Sequence, residues 1–184
     1  NSVFYAGLWY SWARIINKDL LIKHKFTSGI YYEDLALIPI LYIRAKNIIH
    51  IKEAIYWYRL NQNGITLSQS KANSGKTIES FEIIIEQYLK LYEEEKNQHI
   101  ISTIMQIYYL LCTSACVRLN LFQSFKFVKA YKARLDKLGF EQLLRNNLTV
   151  HKKLYYFYLY PYPYLSLLCL GIYTRDKYRL IKGR

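Results

Sequence analysis

The sequence predicts a mainly α-helical chain that carries one short two-stranded β element. Three observations predict it. From Thr77 onward, apolar residues recur three and four positions apart, as on the buried face of a helix. An acidic pair, Glu33-Asp34, opens an apolar run from Leu35 to Ile43, and carboxylates are favoured at a helix start by free N–H groups and the helix dipole. Between these regions, residues 47–51 and 54–60 are short runs rich in β-branched and aromatic types, the pattern of paired strands.

In chain order, residues 1–23 are apolar and aromatic at roughly helical spacing, through Leu8, Trp12, Ile15, Ile16, Leu20 and Leu21. Asn17 or Asp19 is placed to cap a second short helix. Phe26-Thr27-Ser28-Gly29 reads as a loop, with Gly29 free to take positive φ. A helix follows over about 33–45, and Pro39 removes one of its donors, so a kink or a late start is expected there. After the two strands, residues 61–76 form a polar Gly/Ser/Asn-rich loop of a length that is often functional. A helix from Thr77, ended by the polar run Glu93-Glu94-Glu95-Lys96-Asn97, turns Ile78, Phe81, Ile85, Tyr88 and Tyr92 inward, and a helix over about 98–119 does the same with Ile101, Ile104, Tyr108, Leu111 and Ala115. A short polar turn makes the two an antiparallel hairpin. A third helix is expected over 124–138, with Gly139 as its cap. This divides the chain into residues 1–67, a helical bundle over 68–150, and an aromatic and basic tail over 151–184.

The length of 184 residues suffices for one cored domain or for part of a larger one. The chain opens on Asn1 with apolar and aromatic residues and no secretory pattern, so we expect a fragment of a longer polypeptide. Twenty residues are tyrosine, whose ring and polar tip suit half-wet surfaces. Residues 101–184 hold fourteen Lys/Arg against three Asp/Glu, which places most of the formal +13 there. Such a face seeks phosphate, nucleic acid or acidic lipid. No helix-turn-helix, zinc-finger or RNA-recognition signature is present, so nucleic acid is not the expected partner. Cys112, Cys116 and Cys169 form no C-x-x-C pair, and an odd count argues against a disulfide framework and for a reducing compartment. The four scattered histidines offer no metal-ligand spacing.

In the tail, the uncharged run 154–174 lies between Lys152-Lys153 and the bases Arg175, Lys177, Arg179, Lys182 and Arg184. It is long enough to span a bilayer, which needs about 20 apolar residues. Seven tyrosines and the Pro161/Pro163 break suit a segment lying on an anionic membrane surface better. A C-terminal hairpin packed on the rest of the fold is the competing reading.

The Glu33-Asp34 pair has two readings of its own. It is an ordinary acidic first turn, or one carboxylate is held on a rigid helix end to face a substrate as a general base. Its surroundings bear on the choice. Residues 12–21 (Trp12 to Leu21), Tyr32-Glu33-Asp34-Leu35, Ala45 to Ile51 and Ile55 to Asn61 follow one another in an order that resembles the second half of family 2 glycosyltransferases. These are inverting, sugar-nucleotide-dependent enzymes of the GT-A α/β fold, here most similar to bacterial types that build polysaccharides. The match covers residues 9–67, and residues 77–184 resemble only the variable helical tails of such enzymes. Gly64 stands where the family has Ser before Ile-Thr, and no Asp-x-Asp metal motif occurs in the chain.

The resemblance implies the C-terminal half of a GT-A catalytic domain followed by a helical tail. It implies Asp34 as the base that deprotonates an acceptor hydroxyl, with Glu33 beside it as an orienter or acceptor contact. A nucleotide-sugar donor and a divalent cation, Mg or Mn, are expected for the whole enzyme, with the cation's ligands outside this chain. A saccharide or lipid-linked acceptor is the other partner, at the cytoplasmic face of the cell membrane. Alternation along an extended segment puts Tyr56, Tyr58 and Leu60 on one side and Trp57 and Arg59 on the other. Arg59 could pair with a phosphate or with Glu33 or Asp34, or make an ordinary surface ion pair. Trp12 could stack on a sugar ring or serve as a core residue. The alternative function is a non-catalytic helical binding or scaffold module at a membrane surface.

Overall fold

The computed structural model describes residues 2–54, 56–59, 72–146 and 152–181. Among these the architecture is helical throughout, and no strand is present. The elements in order are α1 (Ser2–Ala6), a single 3-10 turn (Ser11–Ala13), α2 (Lys18–Lys23), α3 (Glu33–Arg44), α4 (Ala72–Glu95), α5 (Gln98–Arg118), α6 (Leu121–Lys137), α7 (Phe140–Arg145), α8 (Lys152–Leu159) and α9 (Pro161–Ile181).

This corrects the expected fold class. The GT-A α/β core and the two-stranded element are both absent among the described residues. Residues 47–51 do not pair, and of the second expected strand the described residues 54 and 56–59 do not pair either. Strand-forming side chains need a neighbouring backbone to complete their ladder, and propensity alone supplies none. The Gly64, Ile65 and Thr66 positions fall outside the described residues, as does most of the expected long loop.

α5 is the central element. Its faces bury Ile100, Ile101, Ile104, Met105, Ile107, Tyr108, Leu111, Cys112 and Ala115, so it is apolar nearly all round, as expected of a helix surrounded by others. It is long and apolar enough to cross a membrane by length and composition, but most of it is enclosed by the rest of the fold, the mark of a core helix. α4 and α5 form the expected antiparallel hairpin, closed at Lys96 (φ 52°) and capped by Asn97, whose side chain accepts the His99 N–H. α3 lies parallel to α4: Tyr32 stacks on Phe81 in the first half of α4, and Arg44 is ion-paired with Glu95 at its end. α1 docks through Phe4 on His99, with ring centroids 4.4 Å apart.

α8 and α9 cover the other side of α5. Tyr108 meets Phe157 and Tyr158, and the Tyr109 and Tyr164 hydroxyls are 3.0 Å apart. The described tail thus breaks at Pro161 into two helices packed against the bundle. α6 starts three residues before the expected position because Asn120 and Gln123 form a reciprocal capping box. Gly139 adopts φ +66° and leads directly into α7, which the periodicity had not revealed.

Pro39 lies inside α3 without ending it. A proline at this position leaves the carbonyl four residues earlier, Leu35, without its helical donor. The Tyr88 hydroxyl of α4 supplies one, 3.2 Å from the Leu35 oxygen and 3.1 Å from that of Ala36. The helix therefore continues because its neighbour completes it.

Candidate functional site

The start of α3 is held in an uncommon backbone conformation. Tyr32 takes φ 61° and ψ 39°, the left-handed region that a bulky residue occupies only when its surroundings impose it. Here the surroundings do so from both sides. The Tyr31 N–H donates to Ser80 Oγ at 2.9 Å, and the Tyr32 ring stacks on Phe81 at 4.6 Å. The next two residues, Glu33 and Asp34, open α3. Glu33 is exposed, and Asp34 is partly buried.

Asp34 Oδ1 accepts the Leu35 N–H at 2.7 Å. Burial lifts its carboxyl above the ordinary carboxylate range, and the adjacent Glu33 charge adds to that, while the N–H groups of Leu35, Asp34 and Ser11 pull the other way. The involvement of Ser11 matters, because it places Asp34 beside the 3-10 turn that carries Trp12.

Trp12 is the centre of an exposed aromatic ledge. Its ring lies 5.2 Å from Tyr10, 5.5 Å from Tyr56 and 5.0 Å from Tyr58, in stacked or tilted contacts. All four rings are open to solvent, with Trp12 itself 42% exposed. It is therefore not the core tryptophan of this segment. That role belongs to Trp9, which is 4% exposed and donates its Nε1–H to Gln106 Oε1 at 2.7 Å. The ledge is braced from behind by Arg14. Its guanidinium donates to the carbonyls of Tyr10 and Leu8 and to the Tyr42 hydroxyl.

The sequence-predicted residues are thus partly brought together. Asp34 meets the turn bearing Trp12 through the Ser11 N–H, and Trp12 meets Tyr58, while Glu33 is brought to the site only as the exposed neighbour of Asp34. Period-two alternation survives without a sheet: Tyr56 and Tyr58 face Trp12, while Trp57 is 91% exposed. Arg59 is exposed and forms no ion pair with Glu33 or Asp34. Sequence reasoning missed Tyr10. The signal was available, since Tyr10 and Trp12 repeat the two-residue spacing of Tyr56 and Tyr58.

Among the described residues no group of three or more His, Cys, Asp or Glu side chains could hold a metal ion. The described residues do not form a divalent-cation site. The fold and site together define a helical bundle with an aromatic ledge beside a half-buried acid. Comparison with known protein families, curated proteins and solved structures returned no match. The resemblance of residues 9–67 to glycosyltransferases therefore rests on its sequence motifs alone.

Proposed function

We propose that this chain is the acceptor-side part of an inverting sugar-transferring enzyme, with the Trp12 ledge as its saccharide platform and Asp34 as its base. The observation that carries the reading is the pairing of four exposed aromatic rings, three tyrosines gathered round Trp12, with a partly buried carboxyl whose proton affinity is raised. Aromatic faces present flat apolar area with polar rims, which matches the two sides of a sugar ring. A carboxyl of raised pKa is a stronger base when ionised, which suits removal of a hydroxyl proton.

In the proposed step the acceptor oxygen forms a bond to the donor's anomeric carbon. The bond from that carbon to the leaving nucleoside diphosphate breaks, and its electron pair stays with the phosphate. The hydroxyl proton passes to Asp34. Glu33 contacts the acceptor, and Tyr58 and Trp12 hold its ring. Arg59, on the opposite side of the extended segment, is free to meet donor phosphate. The nucleotide-sugar and the divalent cation belong to residues outside this chain. The basic, tyrosine-rich C-terminal region would hold the enzyme at the cytoplasmic face of an anionic membrane, where each Lys or Arg near the surface contributes about 1 kcal/mol.

The test has two arms. Titration of the full chain with neutral oligosaccharides should quench tryptophan fluorescence, and Trp12→Ala should abolish the saturable response. In an enzyme containing this chain, Asp34→Asn should remove transfer while donor binding persists; unchanged turnover would refute the base assignment.

The all-helical architecture favours a second reading, a non-catalytic binding or scaffold module at a membrane surface. That reading keeps saccharide or membrane binding and expects no transfer from any enzyme containing the chain.

A further inference from the structure

We propose that the corner where α5 turns into α6, together with the outward stripe of α9, is the face that enters an anionic bilayer. This rests on the membrane-surface reading above and gives it particular residues. Val117 at the end of α5, Leu121 and Phe122 at the start of α6, and Leu167 and Leu170 on α9 are all exposed, Phe122 to 78% and Leu167 to 70%.

They lie together in the fold. The Phe125 ring of α6 meets Tyr162 of α9 edge-on at 5.9 Å, and Leu121 is one helical turn before Phe125. The Cys116 and Cys169 thiols interact across α5 and α9, and Val117 and Leu170 are the next residues in each helix. On α9, exposed positions 163, 166, 167 and 170 recur three and four apart and form one unpartnered face.

Charge selects the partner. Phe122, Lys126 and Lys129 stand at i, i+4 and i+7, on one side of α6. Both lysines are exposed and take part in no ion pair among the described residues. α6 carries five basic residues and a single acid, Asp136, which lies at its far end and is engaged by Lys132 and Tyr158. An apolar knuckle flanked on α6 by Lys126 and Lys129 fits hydrocarbon below and lipid phosphate beside it. A protein surface would have to offer an apolar socket rimmed by acids, whereas an anionic bilayer offers both everywhere.

The test is sedimentation of the full chain with phosphatidylcholine vesicles, with and without about one-third phosphatidylglycerol, at roughly 0.1 M and 0.5 M salt. Binding is expected only with the anionic lipid and should weaken at high salt. Phe122→Ser should lower the partition coefficient about tenfold, as should Leu167→Gln combined with Leu170→Gln. Lys126→Gln should lower it about fivefold. Trp57→Ala, at an exposed ring on the extended segment 56–59 rather than on this face, should leave it unchanged. Far-UV circular dichroism checks that each variant stays helical. Anionic binding that survives Phe122→Ser and the α9 pair overturns the assignment of this face and leaves the membrane reading standing. No binding to anionic vesicles overturns both. A doubled mass in light scattering that Phe122→Ser halves assigns the face to a second copy of the chain and overturns the proposal.

Discussion

The Tyr88 hydroxyl stands 3.2 Å from the Leu35 carbonyl oxygen, the acceptor that Pro39 leaves without a helical donor. Two features that look unrelated in the sequence, a proline inside a helix and a tyrosine on the next, are one device. Tyr88→Phe should therefore cost about 1–3 kcal/mol, the penalty of an unmet buried acceptor. In a Pro39→Ala background the restored N–H serves Leu35, and the same substitution should cost about 1 kcal/mol less. Urea unfolding of the four proteins gives the coupling directly, and additive effects would show that Tyr88 does not act through Leu35.

Tyr108 is expected to behave in the opposite way. Its hydroxyl is fully buried and has no nitrogen or oxygen hydrogen-bond partner among the described residues, and the Cys112 thiol lies beside it. Removing a buried polar group that has no strong partner relieves its desolvation cost. Tyr108→Phe should be neutral or stabilising by about 1 kcal/mol in the same urea measurement. A loss comparable to that of Tyr88→Phe would mean the hydroxyl is well bonded in solution.

Asp34 carries a pH signature. Its pKa is raised in the folded protein above the ordinary 3.8, so the folded state holds its proton more tightly than the unfolded chain does. The contribution to stability is complete below the unfolded pKa and is lost as pH rises through the folded one. Asp34→Asn keeps an acceptor for the Leu35 N–H and carries no charge. Its stability relative to wild type should rise between pH 3.5 and pH 7, as read from paired thermal melts. A relative fall across that range would show that Asp34 is stabilised as the carboxylate.

Among the described residues Gly7 is the one glycine whose substitution meets both strain and collision. It adopts φ +65°, and an added Cβ would lie 2.9 Å from Gln106 Cδ. The Gln106 side chain is pinned, accepting from Trp9 and donating to the Phe4 carbonyl, so it cannot swing aside freely. Gly7→Ala should destabilise by about 1–3 kcal/mol and shift the emission of Trp9. An unchanged unfolding midpoint would mean the α1 dock contributes nothing.

The helices were legible where burial is periodic. Ile101, Ile104, Tyr108, Leu111 and Ala115 were expected inside α5, and all are buried. Asn17 caps α2, and Gly29 takes positive φ, as their residue types suggested. The segment 47–59 misled because Ile48, Tyr56 and Trp57 favour strands, yet pairing depends on distant backbone that local sequence does not encode. Trp12 and Asp34 stood out as single residues. Their meeting through Ser11 did not, because it depends on how the 3-10 turn folds back over the start of α3. Tyr88's service to Leu35 was equally hidden, since it joins positions 53 residues apart.

The central position of α5 has a consequence for how the protein is made. Trp9 and Phe4 find their hydrogen-bond partner at Gln106, 97 and 102 residues downstream. On the ribosome, the apolar side of α3 and the aromatic residues of α1 emerge long before that partner exists. The α4–α5 hairpin, built from neighbouring residues, can close at once, whereas the N-terminal segments must wait and then complete a long loop. The nascent chain therefore displays greasy surface for much of its synthesis, and its folding should be slower, and more dependent on holding factors, than helix content alone suggests.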